Sequence, residues 1–154
     1  MCKTALNKWQ TRYDCIEKKK LHLQDCISSV KQVVKSKVAF SRKNSCIVNQ
    51  LMSGHTRLNA HQSIVNPSVV TSPNCPRCDL PETTHHYVYQ CEAIVEARER
   101  LLLEVERALL GTTAKTCTRI DLKLLVGRNS DIEPYINDAI IKSFNKFLDE
   151  TYSH

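Results

Sequence analysis

The feature that most constrains this chain is a cluster of metal-ligating residue types near its middle. Residues 75–91 read CPRCDLPETTHHYVYQC, so three of the eight cysteines and two adjacent histidines fall within one short stretch. Zinc prefers four Cys or His ligands in tetrahedral geometry, and the spacing C-x2-C-x7-H-x4-C supplies them as Cys75, Cys78, His86 and Cys91. A site with four protein ligands leaves no coordination position for water. The sequence therefore predicts one structural Zn2+ ion that takes no part in catalysis.

The spacing leaves two candidates for the histidine ligand. His85 lies six residues after Cys78 and five before Cys91, counting the residues between them, whereas His86 gives gaps of seven and four. The four-residue gap matches the compact zinc knuckles of nucleic-acid-binding proteins and favours His86. His85 is then a surface residue or lies beside the ligands, although its spacing also permits it to replace His86.

The expected compartment supports metal binding over disulfide formation. No apolar run approaches the ~18 residues that span a bilayer, and the N-terminal MCKTALNKWQ lacks the apolar stretch of a secretory signal. We therefore expect an intracellular protein, nuclear or cytoplasmic, in which clustered cysteines bind metal. Five other cysteines are isolated in sequence, and we interpret them as small buried side chains or surface thiols: Cys2, Cys15, Cys26, Cys46 and Cys117.

The positive charge is concentrated ahead of the cluster. The net charge is +6, but residues 1–70 carry 12 Lys/Arg against 3 Asp/Glu, whereas residues 71–154 carry 10 against 13. Such asymmetry is typical of a half that faces nucleic acid, and a solvated helical surface rich in Lys is the alternative. The candidate phosphate contacts are Lys31, Lys35, Lys37, Arg42, Lys43 and Arg57.

Apolar periodicity predicts a mostly α fold: a helical domain with a central, irregular, zinc-stapled CCHC turn. We divide the chain into a basic helical arm (1–44), a CCHC zinc-binding region with flanking helices (45–111) and a C-terminal helical segment (112–154). Ile47, Leu51 and Met52 suit a short helix that ends near Gly54. Thr56 can cap a following helix that turns Leu58, His61, Ile64 and Val65 inward. The most regular pattern runs from Cys91 to Leu110, and a last helix has Pro134 in its first turn.

The central residues resemble a known family. QLMSGHTRLNAHQSIV, then CPRC, then ETTHHYVYQC and a helix containing arginine look like the region near the C-terminus of non-LTR retrotransposon polyproteins. There it follows the reverse transcriptase and, in many elements, the ribonuclease H domain. The resemblance covers roughly residues 5–110, and the matching positions are Leu51, Gly54, His55, Leu58, Cys75, Cys78, Glu82, Thr83, His86 and Cys91. The Glu-Thr pair of the family pattern implies that His86, rather than His85, is the ligand.

The resemblance implies assistance in nucleic-acid handling but no catalysis. Reverse transcriptase and ribonuclease H need gathered carboxylates, and residues 1–70 contain only Asp14, Glu17 and Asp25 as acids, none in a suitable strand pattern. We therefore expect a non-catalytic zinc-binding module that assists RNA or DNA binding. The alternative is a structural or protein-interaction scaffold, with a protein partner or self-association through the C-terminal helices. No membrane partner is expected.

Overall fold

The computed structural model describes residues 40–110, 120–126 and 132–152. Most of the predicted basic arm, with Lys31, Lys35 and Lys37, lies outside these residues. So does Gly111, at the boundary between the two later predicted regions, and the division of the chain into three regions stays a prediction.

The described part of the chain is helical. It forms α1 (Arg42–Ser53), α2 (Asn59–Val65), α3 (Val95–Leu109), α4 (Leu122–Leu125) and α5 (Pro134–Thr151), with a π-helical turn at His86–Gln90 and a 3-10 turn at Glu92–Ile94. Among these residues the only β pairing is an isolated antiparallel bridge between Asn74 and Pro81. The prediction of a mostly α domain with a central irregular CCHC turn is confirmed. No helix in the described ranges is both long enough and apolar enough to cross a membrane.

The first helix begins and ends on local signals. The Ser41 hydroxyl accepts a hydrogen bond from the backbone N–H of Asn44 at 3.2 Å, which caps one of the free donors of the first turn. The helix ends where Gly54 adopts a left-handed conformation with φ of 77°, as predicted from the position of that glycine. Ile47, Leu51 and Met52 are buried, again as predicted.

Helices α3 and α5 form the main pair of the core. The buried side chains of α3 recur every four residues, at Ala97, Leu101 and Val105. Those of α5 are Ile136, Ile140, Ile141, Phe144, Phe147 and Leu148. Helices α1 and α4 pack against α5, so one hydrophobic cluster runs from Ile47 to Tyr152.

Two ion pairs along the rim of this interface show the relative direction of α3 and α5. Arg100 lies 2.8 Å from Glu150, and Glu104, one turn later in α3, lies 3.7 Å from Lys146, one turn earlier in α5. The two helices are therefore antiparallel. Because these side chains are largely exposed, their contribution to stability is small beside that of the buried apolar face.

The second helix departs from the sequence prediction. Leu58 is buried, but Ile64 and Val65 are 78% and 51% exposed, and α2 contains no buried residue. Leu58 is the N-cap of α2 and has extended backbone angles, so it enters the core from outside the helix. Its burial therefore does not require the apolar face of α2 to turn inward, and the predicted burial of Ile64 and Val65 is wrong.

A buried amide ties α1 to α5. The side chain of Asn44 is fully buried, and its Nδ2 donates to the Asn145 side-chain oxygen at 2.6 Å and to Asp149 Oδ1 at 2.9 Å. Hydrogen bonds to charged groups are stronger than neutral ones, and a buried amide gains no compensation from water.

We expect Asn44→Ala to lower the free energy of unfolding by about 2 kcal/mol, because it removes a hydrogen bond to a carboxylate. Urea unfolding measures this change. Asn49→Ala is the matched control, since Asn49 lies on the same helix and is exposed. Equal effects of the two substitutions would contradict the role given to the buried amide.

Candidate metal centre

The four predicted ligands lie together in space. One ligand atom from each of Cys75, Cys78, His86 and Cys91 lies within 4.8 Å of all the others. The Cys78 sulfur is 3.8 Å from the Cys91 sulfur and 3.2 Å from His86 Nε2, and the Cys75 and Cys91 sulfurs are 4.0 Å apart. Two sulfurs bound to one tetrahedral zinc ion at ~2.3 Å are ~3.8 Å apart. The cluster therefore has the dimensions of a site for a single metal ion.

The first two cysteines lie in a tight reversal of the chain. Cys75 N–H donates to Leu80 O at 2.8 Å, and Asp79 N–H donates to Cys75 O at 3.0 Å. Asp79 completes the reversal with a φ of 54°, and its Oδ1 accepts from Asn74 Nδ2 at 3.0 Å. Asp and Asn are the non-glycine residues that most often adopt this left-handed conformation. The turn directs the Cys75 and Cys78 side chains toward one point.

A π-helical turn positions the other two ligands. Cys91 N–H donates to His86 O at 2.8 Å, a bond that spans five residues rather than the four of an α-helix. In an α-helix residues i and i+4 share a face, whereas the wider turn brings i+5 round to that side. This accounts for the four residues between His86 and Cys91. His85, one residue earlier, is exposed and takes no part in the cluster.

The adjacent residues Glu82 and Thr83, just before this turn, both support the arrangement of the ligands. Thr83 Oγ1 accepts from His86 N–H at 3.1 Å, and so caps the turn that carries the histidine. Glu82 is 9% exposed, and its Oε2 accepts from Asn59 N–H at 2.8 Å. A carboxylate at a helix N-terminus is favoured by the free N–H groups there. Glu82 thus attaches the start of α2 to the CCHC segment, which we define as residues 73–91.

The cluster is enclosed and joined to the helical core. Cys75, His86 and Cys91 are 4%, 2% and 4% exposed, and Cys78 is partly buried. Tyr87, the neighbour of His86, packs between Phe147 and Tyr152 of the C-terminal region. Its hydroxyl also forms a hydrogen bond with Thr151. The candidate ligand His86 and a residue packed against α5 are therefore neighbours on one turn.

Burial sets the electrostatics of the site. Desolvation is the main cause that raises the pKa of the Cys91 thiol, to about 11. It also raises the pKa of Tyr87 well above its ordinary value, so this phenol stays neutral. The Cys91 thiol must lose its proton to bind a metal.

The second ring nitrogen of His86 departs from the usual arrangement of a histidine ligand. Nδ1 is buried and has no hydrogen-bond partner among the described residues, whereas a ligating histidine commonly donates this N–H to an oxygen. Packing and the contact of Nε2 with the thiol of Cys78 therefore orient the ring.

Three of the predicted phosphate contacts lie in the described part of the chain, namely Arg42, Lys43 and Arg57. Arg42 and Lys43 are exposed at the start of α1, and Arg57 is exposed after its end. Residues 1–39 carry 9 Lys/Arg against 3 Asp/Glu, whereas the described ranges together carry 10 against 12. The positive excess therefore belongs to the residues that precede the described structure.

Two positions that support the site were missed in the sequence. Asn59 donates its backbone N–H to Glu82 and its side-chain amide to Asn74 O at 2.8 Å. No local pattern indicates these contacts, because the partners are far apart in the chain. The role of Asp79 could have been predicted, because the residue that closes a tight turn often needs positive φ and Asp tolerates it.

Comparisons with models of protein families, with curated proteins and with solved structures find no match for this chain. The interpretation of the cluster therefore depends on its donor set, its distances and its burial.

Proposed function

We propose that this chain is a non-catalytic zinc-binding module, in which one Zn2+ ion holds the CCHC segment against the helical core. The observation that carries the proposal is the convergence of three thiols and one imidazole within 4.8 Å in an enclosed setting. Soft thiolates with imidazole in a tetrahedral arrangement favour zinc over magnesium or calcium, which take oxygen ligands. Four protein ligands also leave no open position for a reacting water.

The ion should contribute much of the stability of the CCHC segment, because the surrounding chain buries few apolar side chains. In residues 66–90 only two large apolar side chains are buried, those of Tyr87 and Val88. Structural zinc contributes on the order of 10–16 kcal/mol in small finger peptides, which is as much as the whole stability of a domain. Metal analysis of the purified protein tests this proposal, and one zinc per chain is the expected result.

We expect the zinc affinity to rise by at least tenfold per pH unit between about pH 7 and pH 8, because one proton leaves Cys91 for each ion bound. The Cys91 thiol, with its pKa raised to about 11, is protonated throughout this range in the metal-free protein. Competition with a chromophoric chelator of known pH response measures the slope. A flat profile would show that no thiol of the cluster, that of Cys91 included, loses a proton on metal binding.

Where the CCHC segment stays folded without metal, the same shift makes the stability of the protein fall as the pH rises. A folded-state pKa above the ordinary value favours the protonated thiol, so this contribution to stability is complete at low pH. It is lost as the pH rises toward about 11. Metal-free and zinc-loaded samples should therefore respond differently to alkaline pH in thermal unfolding.

We further propose that the module assists the binding of RNA or DNA, with basic residues contacting phosphates. The support is the charge of residues 1–39, which carry 9 Lys/Arg against 3 Asp/Glu, and the likeness of the motif to the C-terminal region of non-LTR retrotransposon polyproteins. Phosphate contacts release counterions, so such binding weakens with salt whatever the base sequence.

Affinity for a labelled single strand at several salt concentrations tests this second proposal. Six phosphate contacts give a slope of about −4 for the logarithm of the binding constant against that of the salt concentration. Replacing Lys31, Lys35 and Lys37 together with glutamine should reduce the magnitude of that slope by about 2. Lys142→Gln is the control, since Lys142 is exposed on α5.

A scaffold that binds protein is the second candidate function, and the surface of the described residues favours it. These residues carry 10 Lys/Arg against 12 Asp/Glu, and Ile64, Val65 and Val69 expose large apolar side chains. If the protein does not bind nucleic acid, or if its affinity for nucleic acid does not change with salt, the scaffold is favoured. Sedimentation analysis of the zinc-loaded protein then tests whether copies of the chain associate.

A further inference from the structure

A cavity lies beside the metal centre and shares its π-helical turn. His85 and Tyr89 stand four residues apart at this turn, with ring centroids 5.1 Å apart and a tilt of 50°. His85 is exposed and Tyr89 is partly buried. The two rings line a cavity of about 320 Å³ together with Ile120 and Asp121, which directly precede α4. This volume falls within the range of sites for small organic ligands, roughly 300–1,000 Å³.

The described lining favours a flat ligand with an exposed π face. Two aromatic rings and an isoleucine offer stacking and apolar contact, and the described residues that line the cavity include no lysine or arginine. The carboxylate of Asp121 repels a phosphate, so the anionic part of a nucleotide belongs outside. A nucleobase has the required shape, because every base presents a π face to an aromatic side chain.

Asp121 adds a preference among the bases. Its Oδ1 accepts from Leu124 N–H at 2.8 Å as the cap of α4, which holds the carboxylate in place. A carboxylate has capacity for further hydrogen bonds and accepts only. Guanine presents a ring N–H and an amino group side by side, whereas the single N–H of uracil lies between two carbonyl oxygens that a carboxylate repels.

We propose that this cavity binds an unpaired guanine base, stacked on the His85–Tyr89 ring pair and hydrogen-bonded to Asp121. The inference deepens the proposed nucleic-acid function, and rests on it for the source of the base. A guanine can come from a single strand or from a free nucleotide, and the test separates the two.

The test uses the zinc-loaded full chain and two short fluorescent oligouridine strands, one of them with a single central guanosine. Stacking and a paired donor edge should make the guanosine strand bind about tenfold more tightly. Tyr89→Ala and His85→Ala should each weaken its binding several-fold, and Tyr89→Phe should not. Asp121→Asn keeps the helix cap and should abolish the preference for guanosine.

Matched substitutions control for general effects. Tyr135→Ala removes a tyrosine that is 66% exposed at the start of α5, and Asp138→Asn removes an exposed carboxylate from the same helix. Neither should change binding. Helicity and zinc content are measured for every variant, and His85→Ala, at an exposed position, gives the answer if Tyr89→Ala fails to fold.

The outcomes separate this site from the proposed function. Salt-sensitive binding of both strands with equal affinity, or a preference that survives Asp121→Asn, overturns the guanine site and leaves the nucleic-acid function standing. A third outcome is that the protein binds neither strand but still binds guanosine monophosphate, with an affinity that falls on substitution of Tyr89 or Asp121. This result supports the site with a free nucleotide as its ligand. Failure to bind strand or nucleotide overturns both.

Discussion

Cys78→Ser should abolish stoichiometric zinc binding and unfold the CCHC segment. The serine hydroxyl is a poor zinc ligand, and the remaining thiols and imidazole lie within 4.8 Å of one another with one tetrahedral corner missing. A large part of a binding free energy on the order of 10–16 kcal/mol is lost. The Tyr87 packing against Phe147 should then loosen, because His86 and Tyr87 are adjacent on one turn.

Metal analysis and thermal unfolding by circular dichroism measure both effects. Cys46→Ser is the matched control, since Cys46 is an exposed free cysteine on α1, away from the cluster. It should keep its zinc and its melting temperature. Unchanged stability of Cys78→Ser would show that the four residues do not share an ion, whatever their distances.

Phe144→Ala should lower the free energy of unfolding by about 3–5 kcal/mol, the usual range for removing a buried aromatic ring. Phe144 is fully buried on α5, in edge contact with Phe40 at a centroid distance of 6.2 Å and stacked on Phe147 at 5.9 Å. The rings on both sides are held by the rest of the core. The cavity left behind therefore cannot close completely.

Urea unfolding with zinc present separates this effect from that of the metal. Tyr135→Ala removes an aromatic ring from the same helix at a position 66% exposed and should change stability little. Zinc content should stay at one ion per chain in both variants. Similar losses for the two substitutions would argue against the packing described for α5.

Periodicity predicted the long helices because it reports which face of a helix is apolar. Leu101 and Val105 of α3 and Phe144 and Phe147 of α5 are buried as their spacing indicates. The same reasoning failed for Ile64 and Val65, which are exposed although they continue the pattern begun by Leu58. A helix of seven residues has too few apolar positions for periodicity to determine its orientation.

The ligand set was predictable for a related reason. Two residues between Cys75 and Cys78 and four between His86 and Cys91 place each pair on one local turn. The spacing of each pair therefore reflects the conformation of the nearby backbone. How the two turns meet depends on contacts that spacing does not describe, such as the bond from Glu82 N–H to Pro73 O at 2.9 Å.

The amino-acid sequence by itself determined the helical character of the described residues and the two local ligand pairs, Cys75 with Cys78 and His86 with Cys91, because each arises from interactions between residues a few positions apart. The tertiary structure decided the rest. Asn44 reaches Asp149, and Asn59 reaches Glu82, across 105 and 23 residues of chain. His85, Tyr89 and Asp121 also meet around one cavity. The Asn44–Asp149 contact follows from the docking of α1 on α5, since packing of apolar faces brings together side chains whose positions in the sequence are unrelated.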